Sequence, residues 1–266
     1  MTGSKTNTVY WITGASSGIG RALALELAQP GHSILLSGRN IIALQEVREA
    51  VNGAGAECEV LVFDALDIEH FTEIVAQAIG VFGRIDVLVN NAGVSQRSLA
   101  METSPEVEKK LMQINYFSPV ALSKALLPHF VKQGRGHLVV VSSIAGKFGF
   151  SLRSSYAAAK HALHGYFEAL RLELRDVPVY VTMVCPGRVK TNVSVNALQG
   201  SGEAHAQMDE GQRKGISAQA CAKQMAKAMR LKKYEVLIGG AELIPVYLKR
   251  FCPPLFYYLI KKVKPT

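Results

Sequence analysis

Short apolar runs and longer stretches of helical period alternate from one end of the chain to the other. Runs rich in β-branched residues at 8–13, 33–37, 57–63, 85–90, 137–142, 179–185 and 235–238 predict seven strands. Helical spacing predicts helices over 19–29, 41–52, 67–82, 105–133, 156–175 and 217–231, with Pro30-Gly31 stopping the first. The strands read VLVF, VLVN and LVVV, almost without polar interruption. Such runs belong to strands covered on both faces, and the alternation with helices is that of parallel βαβ units. The expected fold is therefore α/β, a doubly wound Rossmann-type sheet of seven mostly parallel strands with helices on both sides.

No repeat, low-complexity tract or linker divides the pattern, so residues 1–240 read as one domain. Within it, 190–216 is rich in Gly and Ser and weakly periodic, the character of a lid. Residues 241–266 form an apolar and basic C-terminal extension.

Composition narrows the classes of protein. The 266 residues are 48% hydrophobic and 19% charged, which excludes a disordered or collagen-like chain. A net charge of +9 points to an anionic partner: nucleic acid, an anionic cofactor or an acidic membrane surface. Cys58, Cys185, Cys221 and Cys252 lie far apart with no C-x-x-C pair, so neither a zinc ribbon nor a dense disulfide framework is expected. The start, MTGSKTNT, has no secretory character, and no run of about 18–20 apolar residues occurs. A reducing, cytoplasmic setting is the expectation.

The chemistry begins at the end of the first strand. Thr13-Gly14-Ala15-Ser16-Ser17-Gly18-Ile19-Gly20 leads from that strand into the first helix, the setting of a pyrophosphate site on the positive end of a helix dipole. Its spacing, G-x-x-x-G-x-G, departs from the G-x-G-x-x-G fingerprint. After the second strand an NAD site would carry a carboxylate for the ribose 2′-hydroxyl; here Ser37-Gly38-Arg39-Asn40 offers a guanidinium. Arg39 suits a 2′-phosphate, so NADP(H) is the expected cofactor.

Tyr156 and Lys160 stand four apart in a helical segment, on one face. A nearby ammonium stabilises a phenolate and is expected to lower the tyrosine pKa from about 10 toward that of a general acid/base. Ser142-Ser143 closes the fifth strand, and Thr13, Asp64 and Asn90-Asn91-Ala92-Gly93 close three others. In an open α/β sheet those carboxyl ends face the ligand crevice.

The set T-G-A-S-S-G-I-G, N-N-A-G, Ser143, Y-A-A-A-K and Pro186-Gly187 resembles the short, single-domain branch of the short-chain dehydrogenase/reductase family, over about residues 8–240. The resemblance implies a tetrad of Asn115, Ser143, Tyr156 and Lys160. Ser143 is preferred to Ser142 because it lies thirteen residues before Tyr156, the family's usual offset. In that scheme Tyr156 exchanges the proton with the substrate oxygen, Lys160 lowers its pKa and binds the nicotinamide ribose, and Asn115 holds a water through its main chain. The cofactor set it implies is Gly14, Ser16, Ser17, Gly18, Ile19, Gly20, Arg39, Asn40, Asp64, Ala65, Asn91, Ala92, Gly93, Pro186, Gly187, Val189 and Thr191, with Tyr156 and Lys160. It also implies a homo-dimer or homo-tetramer.

The extension adds charge and grease. From residue 230 to 266 there are eight Lys/Arg and two Glu, interleaved with Tyr247, Phe251, Phe256, Tyr257, Tyr258 and Leu259. One reading is an interfacial anchor with Lys261, Lys262 and Lys264 on anionic head groups; the other is a tail packed over the substrate pocket. Both favour an apolar substrate, and the tail resembles that of a branch whose proposed substrates are lipid-like or steroid-like ketones. His161 and His164 read as helix-surface or interface residues, with no metal expected. Basic charge concentrated in an aliphatic tail argues against nucleic acid. The expected activity is an NADP-dependent oxidoreductase acting on CH-OH/C=O. A 3-oxoacyl thioester or polyol enzyme, and a non-catalytic nucleotide-binding membrane adaptor, remain as alternatives.

Overall fold

The computed structural model describes residues 7–262; the six N-terminal residues and Lys264 of the extension lie outside the described residues. Seven parallel strands form one sheet: β1 (Thr8–Thr13), β2 (His32–Gly38), β3 (Glu57–Val62), β4 (Val87–Asn90), β5 (Gly136–Val141), β6 (Val179–Pro186) and β9 (Glu235–Ile238). Their order is β3-β2-β1-β4-β5-β6-β9. The chain winds outward from β1 to β3, then crosses back to place β4 on the other side of β1. Between the carboxyl ends of β1 and β4 the direction of winding reverses, and a crevice opens there.

The apolar runs are continuous because successive residues serve opposite faces. Trp11, Leu35, Leu88, Leu138 and Met183 join Phe71, Leu126, Phe130 and Phe167 in one core. Their chain neighbours Ile12, Leu36, Val89, Val139 and Val184 join Leu23, Leu27 and Met225 in the other. Full burial of side chains such as Phe130 and Phe167 contributes about 1.5–3 kcal/mol each relative to exposure. The edge strand β3 departs from the expectation of two covered faces, since Glu57, Glu59 and Val62 are exposed.

The helices are α1 (Gly18–Leu27), α2 (Ile41–Gly53), α3 (Phe71–Phe82), α4 (Pro105–Met112), α5 (Ser118–Gln133), α6 (Ser154–Glu173), α7 (Glu210–Arg213) and α8 (Ala218–Arg230). The single helix expected over 105–133 is interrupted by a wide π turn at Gln113–Phe117. Such a turn inserts a residue into the ladder and re-aims what it carries, here Asn115.

The segment expected as a lid has a built frame. At its base β7 (Val189–Lys190) pairs in parallel with β8 (Ile216–Ser217). Leu198 bridges to Gln96 and packs on Val107 and Leu111. The extension folds into α9 (Ile244–Phe251) and α10 (Pro253–Ile260). Phe256 inserts beside Ile144 and Phe148, with Phe150, Leu243, Val246, Leu248 and Ile260 around them. No helix among the described residues is long and apolar enough to cross a membrane.

Candidate active site

The crevice is held open by hydrogen bonds between the ends of β1 and β4. Thr13 Oγ1 accepts from the N–H groups of Asn91 and Ala92, each at 3.0 Å. The Asn91 side chain returns two donations, to the carbonyls of Thr13 at 2.9 Å and Gly14 at 3.1 Å. Gly14 has φ +62°, and a Cβ there would stand 2.9 Å from Ala92 Cα. At Gly20 a Cβ would stand 2.3 Å from the Gly14 carbonyl oxygen. Backbone thus meets backbone where the turn enters α1, which only glycine permits.

A cleft of about 980 Å³ runs from this turn across the carboxyl ends of the strands. It brings together Gly14, Ser16, Ser17, Gly18, Ile19, Arg39, Asn40, Asp64, Ala65, Asn91, Ala92, Gly93, Asn115, Ser143, Tyr156, Lys160, Pro186, Gly187, Val189 and Thr191. Gly20 is the exception among the expected residues: it is buried behind the turn and acts by close packing.

The residues fit an elongated anion. Asn40, Ser104 and Ser217 cap α2, α4 and α8 with their side chains. Ser17 at the start of α1 makes no such capping bond among the described residues, and Ser16, Ser17, Gly18 and Ile19 line the cleft. The positive end of α1 is therefore turned to the crevice. At the far rim Arg39, with a side chain 70% exposed, lies 3.9 Å from the Asp64 carboxylate. The other Asp64 oxygen accepts from the N–H of Leu66 at 3.0 Å, and the Asn40 side chain accepts from that of Ala43 at 3.1 Å. Asn40 therefore has a structural task of its own beside any contact with a ligand.

The two serines at the end of β5 diverge. Ser142 is buried, with Oγ 3.2 Å from the Lys160 carbonyl oxygen and 3.1 Å from His164 Nε2. Ser143 lies in the cleft beside Tyr156, near enough to act on its phenol, and its Oγ lies 3.4 Å from the Pro186 carbonyl oxygen. Lys160 Nζ donates to the Val141 carbonyl at 2.9 Å and stands 5.7 Å from the centre of the Tyr156 ring. Asn115 donates from Nδ2 to the carbonyls of Val94 and Leu111, both at 2.9 Å, and accepts from the Val94 N–H at 3.2 Å.

The electrostatics correct one expectation. Burial raises the Tyr156 phenol above its ordinary 10.0, with the Ser143 hydroxyl and the Arg153 charge pulling it down. Lys160 does not set the direction, because its ammonium is turned to Val141. Burial lowers Lys160 itself to about 8, against a smaller upward pull from Cys185.

His164 corrects another. His161 is exposed as expected, but His164 is buried against Ser142 and Cys185 Sγ, the latter at 3.7 Å. Burial, then Lys147, His161, Lys160 and Arg171, lower it to about 3. Its ring, Cys185 and Glu235 bring ligand-type atoms within 4.8 Å of one another. The Lys147 ammonium lies among them, 3.2 Å from His164 Nδ1 and in contact with Glu235, and supplies the cation there.

Sequence reading missed a polar lock beside Tyr156. The buried Asp209 carboxylate, from the 190–216 segment, pairs with Arg153 at 2.5 Å and Arg97 at 3.4 Å. Arg153 also donates to Ser95 Oγ at 2.5 Å and the Gln96 carbonyl at 3.0 Å. Nothing in the spacing of Arg97, Arg153 and Asp209 signals that they meet; only the fold does. At the outer end of the cleft Phe148, Phe150, Pro245 and Ile260 form an apolar wall.

This chain belongs to the short-chain dehydrogenase/reductase family: the family model described as short chain dehydrogenase matches residues 8–201. It is thus an oxidoreductase of that family, and within it is related to the member 7 group. It is 38% identical over 263 residues to Dehydrogenase/reductase SDR family member 7B of Rattus norvegicus, covering 96% of this chain and 80% of that one. Among solved structures it is similar to a short chain dehydrogenase/reductase from Burkholderia phymatum in complex with NAD. There the TM-score is 0.84 and the identity 25%, over 98% of each chain. A metagenomic short-chain oxidoreductase in complex with NADP matches with TM-score 0.73 and 28% identity, over 88% of this chain and 97% of that one.

The backbone contact at Gly20 gives a direct test. Gly20→Ala is expected to weaken dinucleotide binding by about tenfold or more and to lower Tm, as measured by fluorescence titration and thermal unfolding. A Cβ at Gly80 meets nothing within 4 Å, so Gly80→Ala is the control and should leave affinity unchanged. Equal affinity in both variants would remove the close approach from the binding site.

Proposed function

We propose that the protein is an NADP-dependent carbonyl reductase or alcohol dehydrogenase acting on an apolar ketone or the matching alcohol. The observation that carries this reading is the meeting of Ser143 and Tyr156 in the cleft, with Lys160 behind them. Bound NADPH would supply a hydride to the carbonyl carbon, so that ketone, NADPH and a proton become alcohol and NADP⁺. The Ser143 hydroxyl orients the substrate oxygen, and the Tyr156 phenol donates its proton to that oxygen as the negative charge develops. Lys160 presents an ammonium to the ribose hydroxyls, and Asn115 pins the Val94 backbone at the edge of the crevice.

Support for NADP comes from the rim. The end of β2 carries Arg39 and no carboxylate, and a guanidinium fork matches a 2′-phosphate. Support for an apolar substrate comes from the wall of Phe148, Phe150, Pro245 and Ile260, which offers a polyol few partners. The 190–216 segment covers the cleft, its Asp209 latched by Arg97 and Arg153.

The extension supports a place of work as well as a pocket wall. Its inner side packs on Ile144 and Phe148, while Ile244, Tyr247 and Phe251 of α9 and Leu255, Tyr257, Tyr258 and Leu259 of α10 are exposed. No Asp or Glu follows Glu242, whereas Lys249, Arg250, Lys261, Lys262 and Lys264 do. A second copy docked on this face would oppose like charges, whereas an anionic bilayer complements them. The outer face is therefore read as a docking surface for acidic lipid.

Four measurements test these statements. NADPH oxidation against ketones graded in chain length and ring size should rise with apolar size and disappear in Tyr156→Phe; undiminished turnover in that variant overturns the role of Tyr156. With the phenol raised, reduction should hold its rate through neutral pH, while alcohol oxidation, which needs the phenolate, should climb as pH rises toward 10 and beyond. Arg39→Asp should narrow the preference for NADPH over NADH by about tenfold or more; an unchanged ratio takes Arg39 out of the 2′-phosphate site. The intact protein should co-sediment with phosphatidylserine-containing vesicles, less with purely zwitterionic ones, and lose binding on Phe251→Asp. Equal sedimentation of both proteins, or a dimer that dissociates on Phe251→Asp, would reject the lipid surface.

A further inference from the structure

We propose that Gln96 is a positioning residue for Tyr156: its buried side-chain amide caps the helix that carries the tyrosine and so fixes where the phenol meets the substrate. The inference rests on the reading of Tyr156 as the proton donor.

An α-helix begins with N–H groups that have no partner inside the helix. At α6 the N-cap position is held by Arg153, whose side chain makes no capping bond and is committed to Asp209, Ser95 and the Gln96 carbonyl. The acceptor comes from far along the chain. Gln96 Oε1 accepts from the N–H of Ser155 at 2.9 Å and from that of Tyr156 itself at 3.2 Å.

The direction of the amide is settled by its other end. Gln96 Nε2 faces Thr103 Oγ1 at 3.0 Å, Ser98 Oγ at 3.2 Å and Ser154 Oγ at 3.3 Å. The Thr103 hydroxyl donates to the Leu99 carbonyl at 2.7 Å and therefore receives from Gln96. Donor and acceptor ends are thus both matched, in a side chain with no solvent exposure. In such surroundings an unmatched amide is costly, so this orientation is strongly held.

Gln96 does not line the cleft, which is why it acts through Tyr156 and not on the substrate. The residues on either side of it hold Leu198: the Arg97 N–H donates to the Leu198 carbonyl at 2.8 Å, and the Leu198 N–H donates to the Ser95 carbonyl at 2.9 Å. The stretch 95–97 therefore joins the 190–216 segment through its backbone to the peptide of the acid/base through the Gln96 side chain. A Leu at 96 keeps the volume and abandons two N–H groups of α6. A Glu keeps the oxygen that accepts from those N–H groups, and the Ser98 and Ser154 hydroxyls can turn to donate to its second oxygen. The charged groups around that turn are Arg153 and Lys160 of α6, Arg97, Asp209 of the 190–216 segment and Glu108 of α4, which accepts from Ser155 Oγ at 3.0 Å. A carboxylate added among them disfavours the phenolate.

The test uses the full-length protein and two readouts. In hydrogen exchange followed by mass spectrometry, the peptide covering 153–160 should lose protection in Gln96→Leu and keep it in Gln96→Glu. With the ketone turned over fastest by the wild type, Gln96→Leu should lower kcat by about tenfold or more at unchanged NADPH Kd. Gln96→Glu should restore most of kcat and move the rise of alcohol oxidation with pH to higher pH. Wild-type protection in Gln96→Leu overturns the cap. A fall in kcat that only follows the unfolded fraction, or an unmoved pH profile in Gln96→Glu, overturns the positioning role. Should Gln96→Leu fail to fold, Gln96→Glu decides by its exchange and pH profile. Tyr156→Phe run alongside separates the two ideas: full turnover there removes the proton-donor reading, whereas a dead Tyr156→Phe beside an unimpaired Gln96→Leu removes this inference alone.

Discussion

Everything at the site depends on the clasp between the ends of β1 and β4. Thr13 and Asn91 exchange hydrogen bonds across the point where the sheet reverses its winding. That clasp sets how far apart the two strand ends stand and hence the width of the crevice. It also places the Gly14 carbonyl against the start of α1, so the turn, the helix dipole and the N-N-A-G stretch are one unit. A side chain larger than hydrogen at Gly20 would part them. The cores on either side of the sheet keep the strands in register, but this local exchange of polar partners gives the protein a cleft to work with.

Much of this was legible in the sequence, for physical reasons. The strands stood out because a sheet covered on both faces needs apolar residues at consecutive positions, as Trp11 and Ile12 or Leu138 and Val139 show by dividing between the two cores. The glycine turn and the Tyr156–Lys160 spacing are local in sequence and carry their geometry with them. Ser143 is preferred to Ser142 only through the family's thirteen-residue offset to Tyr156, and in the structure the two side chains diverge, Ser142 toward His164 and Ser143 toward the Pro186 carbonyl. What escaped reading depends on contacts between distant segments. The π turn that aims Asn115 has no composition signal of its own. The pairing of β7 with β8 is two residues long. The burial of His164 follows from β6 passing beneath it, and that of Asp209 from two arginines more than fifty residues away.

The direction of the Tyr156 pKa illustrates how burial and charge compete. Four residues of spacing put an ammonium on the same helical face, yet the Lys160 side chain is drawn to a backbone carbonyl and leaves the phenol to its desolvation. Spacing sets which groups are neighbours; the hydrogen bonds each can make decide which of them interact. The same lesson holds at His164, where the Lys147 ammonium, from another element, lies against both the imidazole and Glu235.

The short pairing of β7 with β8 has a wider meaning. Because it ties the two ends of the intervening residues side by side, the stretch between them is a closed loop hung from a fixed hinge plate, not a strap under tension. Its length can change at small entropic cost, since the ends need not be brought together anew. The sheet and the glycine turn would register no such change. The fold is thereby divided into a fixed chassis and an adjustable cassette: with Thr191, Leu198 and Asp209 kept as anchors, changing the lengths between them is the route by which this scaffold would acquire a different appetite for substrates.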